Sequence, residues 1–307
     1  MPARVVTNEE LARTVDTTDA WIQERTGIRQ RHLAGEHETC AFMGAEAGRA
    51  ALADAGAGPG DVDAIILATS TPDQAFPATA VRVQAMLGVE QGFGFDLSAA
   101  CSGFVYGLSV ADGMIRAGQV RGVLVIGSEV YSRILDWSDR GTCVLFGDGA
   151  GAAFLRAGAE DGPGVLSTHL HAQGSLGDIL DVDGAVGRRD LPGHLRMNGR
   201  EVFRHAVSKL AAAVDEALVA NGLSHGDVDW LVPHQANRRI IDAMGKKLGL
   251  APERVVVTVD RHANTSAASI PLALAEAIGD GRIKRGDLVL LEALGGGLTW
   301  GSALIRM

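Results

Sequence analysis

The strongest constraint on what this chain can fold into is an internal repeat. Gly60, Asp61, Val62 and Asp63 lead into AIILATS, and Gly226, Asp227, Val228 and Asp229 lead into WLVPHQ. Each run is followed by a helical pattern, an apolar run, a polar loop and a second helical pattern. GQVRGVLVIGSE then stands in the first half where GRIKRGDLVLLEA stands in the second. Each half closes on a Gly cluster and an apolar strand, GDGAGAAFL and GGGLTWGSALI. Any α/β chain alternates strands and helices, but the same turns and Gly clusters in the same order predict one duplicated unit, its copies packed as one body. The stretch from about 156 to 195, with three His, has no counterpart and reads as a connection. The expected divisions are 1–156, a connecting segment at 157–198, and 199–307.

Periodicity places strands at 64–69, 93–97, 123–128, 151–155, 230–233, 255–259, 288–294 and 302–305. They are short and almost wholly apolar, as strands covered on both faces must be. Helices are predicted at 8–15, 41–55, 77–87, 102–117, 199–221, 238–248 and 267–280. Thr7 precedes the first, and Gly88, Gly118 and Gly222 follow others, as helix end signals. Strands interleaved with helices of this length predict a layered α/β fold. The chain's 307 residues suffice for about two domains' worth of core. Gly supplies 40 of them, well above its share in an average protein. That excess predicts tight turns and close backbone contacts.

Charge and composition exclude several classes. The chain carries 28 Lys and Arg against 37 Asp and Glu, a net charge of -9, the wrong sign for a nucleic-acid binder. No apolar run reaches the roughly 18 residues of a membrane helix. The N-terminal MPARVVTNEELARTVDTTDA has no apolar core of a secretory signal. Cys40, Cys101 and Cys143 are too widely spaced for a disulfide framework or a zinc knuckle, so no metal site is predicted. A cytoplasmic protein without membrane or nucleic-acid partners is expected.

Three residues carry potential chemistry. Cys101 sits where the strand of FDLSAACSGFVYGL ends in a small-residue turn and a long helix begins. A helix N-terminus favours thiolate, although free cysteines are more often inert core residues, and position alone leaves both readings open. Cys40 and Cys143 lie in apolar patterns and read as core. Acyl chemistry on a thiol needs a proton handler or donors for a developing oxyanion. His234 directly follows the strand WLVP, at the repeat position of Ser70 or its neighbour. Asn264 lies in DRHANTSAAS, the second-half counterpart of the Cys101 turn. All three fall at carboxyl ends of predicted strands, where sites in α/β sheets collect.

DTTDAWIQERTGIRQRH, LSAACSGFVYGL, DRGTCVLFGDGAGA, VPHQANRRI, DRHANTSAASIP and GGGLTWGSALIR together resemble the β-ketoacyl-[acyl-carrier-protein] synthase III family, in the right order over nearly the whole chain. The resemblance implies a thiolase-like five-layer α-β-α-β-α fold of two duplicated halves, usually a homodimer. It implies a Cys101–His234–Asn264 triad that condenses an acyl-CoA starter with malonyl-acyl-carrier protein, with loss of CO2, to begin fatty acid biosynthesis. No cofactor is implied, acyl-CoA being a substrate. Trp21, Arg25 and Arg140 match positions that hold CoA, and Gly199 and Asn237 match positions along the pantetheine channel. Phe76 resembles a residue that crosses the dimer interface to close the partner's acyl pocket, with Leu298 also assigned to that pocket. The backbone N–H groups of Cys101 and of the Gly295–Gly297 run, Gly297 in particular, are the implied oxyanion donors. Gln235, Ala236, Asn237, Arg238, Arg239, Lys246 and Lys247, with Arg204 extending the patch, are the expected docking surface for an acidic carrier protein.

Two departures accompany the resemblance. The family begins with a strand and a Gly turn before the segment matching Pro2–Asn8, so a central strand is expected to be missing and residues to precede Met1. The family often has Gly where this chain has Ala263. Competing readings are a same-fold acyltransferase of a specialised pathway, a cysteine thioester hydrolase, and a non-catalytic scaffold.

Overall fold

The duplicated Gly-Asp-Val-Asp motif performs the same two tasks in each half of the computed structural model, which describes residues 1–158, 162–184 and 190–307. The first Asp caps a short turn: Asp61 Oδ2 accepts from the Gly58 N–H at 2.8 Å, and Asp227 Oδ2 from the Ser224 N–H at 2.8 Å. The second Asp holds the start of a strand 59 residues further on. Asp63 Oδ2 accepts from the Gly122 N–H at 3.0 Å, and Asp229 Oδ2 from the Leu288 N–H at 2.8 Å. Buried backbone donors at strand ends need such partners.

In chain order, a ribbon of β1 (Arg4–Thr7) and β2 (Gln30–Leu33) encloses α1 (Asn8–Leu11) and α2 (Asp19–Thr26). The first half continues with α3 (Cys40–Asp54), β3 (Ala64–Ala68), α4 (Thr79–Leu87), β4 (Phe93–Leu97), α5 (Gly103–Arg116), β5 (Gly122–Glu129) and β6 (Gly149–Arg156). Next come β7 (Gly164–Ala172) and a small pair, β8 (Leu180–Val182) and β9 (Leu195–Met197). The second half holds α6 (Gly199–Ala220), β10 (Trp230–Pro233), α7 (Arg238–Lys247), α8 (Val259–His262), α9 (Ser269–Gly279), β11 (Leu288–Gly295) and β12 (Thr299–Arg306). The predicted helix ends hold: the Thr7 hydroxyl accepts from Glu10 N–H, and Gly88, Gly118 and Gly222 adopt positive φ.

The two sheets run β4-β3-β5-β6 and β10-β11-β12-β7. Their strands alternate in which core they feed. Ile65, Leu67, Leu124 and Ile126 pack outward on α3 and α4. Ile66, Val123 and Val125 point inward onto α5 and α9, where Val232, Val289 and Leu291 meet them from the other sheet. Leu231, Leu288 and Leu290 face outward on α6 and α7. Helices, sheet, helices, sheet and helices make the five layers of the thiolase-like fold. Among the described residues no helix is long and apolar enough to cross a membrane.

Three expectations are corrected. Residues 157–198 are more than a connection, because β7 pairs with β12 along its length and belongs to the second sheet; positions 159–161 and 185–189 of this segment lie outside the described residues. The predicted strand at 255–259 reduces to one bridge, Leu231 with Val255, before α8 turns the chain. No central strand is lacking among the described residues, since β3 and β5 each pair on both sides and β6 forms an edge. The sheets differ at both edges: the second carries β7 beside β12, and the first carries β4 beside β3 where the second has only the Leu231–Val255 bridge.

At one point the halves meet backbone to backbone. A Cβ on Gly127 would stand 2.3 Å from the Ala267 carbonyl oxygen, a backbone atom that cannot rotate away. Gly127→Ala should therefore cost about 3 kcal/mol, the upper part of the overpacking range. Gly113 lies in the last turn of α5 with open space around it. Gly113→Ala should stabilise by about 0.5–1 kcal/mol. Urea unfolding midpoints check both, and opposite signs are expected.

Candidate active site

Three turns, one in the first half and two in the second, converge at the carboxyl ends of the strands. After β4 a single helical turn, Ala100–Ser102, carries Cys101 into α5. Ala100 takes a φ of 45°, left-handed backbone that a residue with a Cβ rarely adopts. The turn is clamped from the other half. Ser102 Oγ donates to the Ala99 carbonyl and lies 2.7 Å from the Thr299 hydroxyl, which itself donates to the Ala99 carbonyl at 3.0 Å. Gly295 must lack a side chain, because its Cβ would stand 2.5 Å from the Cys101 nitrogen.

His234 follows β10 and is buried. Its backbone N–H donates to the Glu292 carbonyl at 2.8 Å, and its Nδ1 lies 2.6 Å from Ser269 Oγ. Pro233 pairs with Glu292 as Leu67 pairs with Ile126, so the repeat places His234 on Ala68, two residues short of Ser70. Ser269 Oγ accepts from the Gln235 N–H at 3.3 Å. The tautomer in which Ser269 donates to Nδ1 carries the ring proton on Nε2. Asn264 is held by its backbone: its N–H donates to Leu145 and its carbonyl accepts from Gly147. Its Oδ1 accepts from the Ser266 N–H at 2.9 Å, leaving the amide Nδ2 as the free donor.

Burial sets the protonation states. It pushes the Cys101 thiol up to about 12, against the helix N-terminus, which favours thiolate. It pulls His234 down to about 3, so the ring is neutral. It raises Glu129 to about 7 and Glu292 to about 8, and Tyr131 well above its usual range. Cys40 and Cys143 are buried with raised thiol values and do not reach the cleft.

A cleft of about 1230 Å³ runs over Cys101, His234 and Asn264. Leu180, Leu195, Val202, Phe203 and Ile240 give it an apolar wall, and Gly199, Ala236, Asn237 and Gly297 also line it. Trp21 lines the cleft with two guanidinium groups near its ring, Arg25 at 4.6 Å and Arg140 at 5.4 Å from the ring centre. Asp16 anchors Arg140 through its backbone and carboxylate oxygens at 2.9 and 3.2 Å. Asn237 caps α7, accepting from the Arg239 N–H at 2.8 Å, and ties that helix to the Arg25 carbonyl at 3.1 Å.

Some expected residues stand elsewhere. Gln235 is buried, with its amide spent on the backbone of Pro233, Val256, Thr258 and Val259, so it stitches loops together and offers no docking surface. Leu298 is wholly buried in the core beneath α6 and does not line the cleft. Phe76 is 83% exposed and does not line this chain's cleft either. Arg239 lines the cleft and donates to the Glu24 carbonyl, while Arg238 pairs with Asp242. Lys246 and Lys247 are exposed, and Lys247 shares a shallow depression with Arg204. Sequence reasoning missed Ser266 and Ser269, whose signal was their place in NTSAAS beside Asn264. It missed Glu129 and Tyr131, because nothing in a strand end shows which way a side chain turns.

Ala263, just before Asn264, has a φ of 57° and a ψ of -162°. That region is nearly reserved for Gly. Releasing the strain outweighs the extra backbone freedom of Gly, so Ala263→Gly should stabilise the protein by about 1 kcal/mol. A higher urea midpoint with unchanged slope is the expected reading.

Comparison with known proteins extends these observations. The family model described as 3-Oxoacyl-[acyl-carrier-protein (ACP)] synthase III matches residues 95–174, and its C-terminal counterpart matches residues 218–307. A relative named beta-ketoacyl-[acyl-carrier-protein] synthase III from Acidiphilium cryptum is 75% identical, over 100% of this chain and 96% of its own. A relative of the same name from Granulibacter bethesdensis is 69% identical over the same shares. The crystal structure of 3-oxoacyl-[acyl-carrier-protein] synthase III from Aquifex aeolicus is 48% identical, covers 100% of this chain and 97% of its own, and superposes with a TM-score of 0.95.

Proposed function

The chain belongs to the 3-oxoacyl-[acyl-carrier-protein] synthase III family, and on that footing we propose which of its residues perform each step. It is an acyltransferase of the condensing type, a β-ketoacyl-[acyl-carrier-protein] synthase III of fatty acid biosynthesis. Its substrates are an acyl-CoA and malonyl-acyl-carrier protein. The specialised-pathway and hydrolase readings are not favoured by relatives this similar over the whole chain.

Cys101 is the nucleophile. Its sulfur attacks the acyl-CoA carbonyl, CoA leaves as the C–S bond breaks, and an acyl-enzyme remains. The malonyl group then loses CO2, and the resulting enolate attacks the acyl carbon and displaces the Cys101 sulfur. Decarboxylation puts negative charge on the thioester oxygen, which calls for donors rather than a strong base. One observation carries the assignment. Ser269 on His234 Nδ1 and Ser266 on Asn264 Oδ1 leave each side chain an N–H donor in the same cleft as Cys101. A ring kept neutral down to about pH 3 is a donor and not a resting cation. The backbone N–H groups of Cys101 and Gly297 are the donors for the tetrahedral intermediate.

The indole of Trp21 takes the adenine, with Arg25 and Arg140, both beside that ring, placed for the phosphates. Gly199 and Asn237 border the pantetheine arm. A homodimer belongs to this reading, supported by the exposed Phe76 and by Phe93 at 45% exposure on the edge strand β4. So does a cytoplasmic location, in keeping with three free cysteines and a reducing compartment.

Cys101→Ser should abolish the acyl adduct seen by intact mass after mixing with acyl-CoA, because a serine alkoxide is far less accessible. An adduct on Cys40 or Cys143 would refute the assignment. His234→Ala and Asn264→Ala should lower condensation by about 10²–10³ while acylation suffers less. Equal damage to both steps would show that one of them activates the thiol.

The carrier protein docks on α7 beside the cleft mouth, with Arg204 extending the basic surface. Lys246 and Lys247 are the cleaner probes, since Arg239 also braces α2. Reversing both to Glu should slow condensation with malonyl-carrier about tenfold in low salt, through slower association, and leave acylation by free acyl-CoA unchanged. A wild-type rate for the double variant would move the docking surface elsewhere.

A further inference from the structure

An acyl-CoA reaches Cys101 with its CoA arm on one side of the thioester carbonyl and its acyl tail on the other. The residues placed along the arm, Trp21, Arg25, Gly199 and Asn237, come from α2 and the starts of α6 and α7. Two further residues line the same cleft and come from the first sheet, Ser70 after β3 and Tyr131 after β5. Both lie at the carboxyl edge that also presents Cys101 after β4.

Tyr131 is a fixed post in that space. It is buried, and its ring stacks on Phe146 with centroids 4.9 Å apart and planes 16° from parallel. Its hydroxyl accepts from Ser266 Oγ at 3.1 Å. The 266–268 turn packs on the 100–102 turn bearing Cys101, so the phenol tip is tied to the nucleophile's own support. The backbone is held on both sides: the Val130 N–H donates to Thr71 Oγ1 at 2.8 Å and the Ser132 N–H to Asp148 Oδ1 at 2.9 Å. A ring gripped by its face, its tip and its backbone cannot swing aside without breaking those contacts. Ser70 is held as firmly. Glu129, wholly buried at the end of β5, accepts on Oε2 from the Ser70 N–H at 3.0 Å and from the Thr69 and Thr71 hydroxyls at 3.1 and 2.6 Å. Burial keeps Tyr131 a neutral phenol.

We propose that Tyr131 is the end wall of the acyl site and sets how long a starter the enzyme accepts, restricting it to short acyl groups with acetyl foremost. The inference rests on Cys101 being the acylated residue. With the arm lying along α6 and α7, the tail of the acyl group is sent towards Ser70 and Tyr131. Acetyl, with one carbon beyond the carbonyl, demands the least room there. Each further methylene must displace a side chain that close packing holds in place. A longer apolar tail would also cover the phenol and the Ser70 hydroxyl while offering neither a hydrogen bond. Phe76 closes the partner's site from outside in the functional reading, whereas Tyr131 bounds the site from within the chain that carries Cys101.

The test is the rate of acylation with acetyl-, butyryl-, hexanoyl- and octanoyl-CoA, read by intact mass, with peptide mapping to locate the adduct. Wild type should acylate fastest with acetyl-CoA and slow by about tenfold or more on going to butyryl-CoA. Tyr131→Ala should raise the hexanoyl-to-acetyl rate ratio about 100-fold. Tyr131→Leu, which keeps more of the core filled should the Ala variant fail to fold, should raise it about tenfold. Tyr131→Phe keeps the ring and should hold the ratio near wild type, which separates the size of the wall from its hydroxyl. A wild-type enzyme that takes octanoyl-CoA as fast as acetyl-CoA, with the adduct on Cys101, overturns the inference alone. So does an unchanged ratio in Tyr131→Leu, or a Tyr131→Phe ratio shifted as far as that of Tyr131→Leu. An adduct on Cys40 or Cys143 overturns the functional reading and this inference with it.

Discussion

Two small-residue turns, one from each half, meet with almost nothing between their backbones, and the rest of the molecule is arranged around that contact. A Cβ on Gly103 would stand 2.9 Å from the Ala68 Cβ and 3.4 Å from that of Ala267, and Gly127 lies under the Ala267 carbonyl. Close approach of this kind lets α5 and α9 share one layer between the sheets, which gives the central core its continuity. It also brings the turn bearing Cys101 against the loop bearing Asn264. The three non-Gly residues with positive φ among the described residues, Ala100, Ala263 and Ser266, all lie in these two turns. Strain gathers where backbone is forced to present a side chain at a fixed place, and packing on both sides keeps it there.

The same exclusion of water decides the chemistry. Desolvation moves the thiol and carboxyls up and the imidazole down, so at neutral pH the site rests with few full charges. A low-dielectric cavity with neutral donors strengthens any charge–dipole contact made while a substrate's charge develops. The helix N-terminus at Cys101 alone would have argued for a resting thiolate.

Much of this was readable beforehand, for identifiable reasons. Duplication showed because Asp63 and Asp229 must each satisfy a strand start 59 residues away, and a task repeated at the same spacing leaves the same letters. Cys101, His234 and Asn264 showed because strand ends and turns have local signatures. What did not show depended on long-range packing. The pairing of β7 with β12 is non-local and its strand is amphipathic on neither face in an obvious way, so it read as a connection. Gln235 looked polar and exposed, yet its whole hydrogen-bonding capacity is spent inside. Leu298 and Glu129 differ from neighbouring residues only in where the backbone aims them.

The matched halves carry unlike residues at the place where they touch. In an assembly of two identical unlinked copies, any substitution in one turn would appear in both, so a cysteine gained on one side would displace a donor on the other. Joining the copies in a single chain removes that constraint. Each turn can then mutate alone under selection, one towards a nucleophile and the other towards hydrogen-bond donors, while the shared scaffold of Asp-capped turns stays alike. Covalent linkage thereby turns a symmetric contact into a site with two distinct sides.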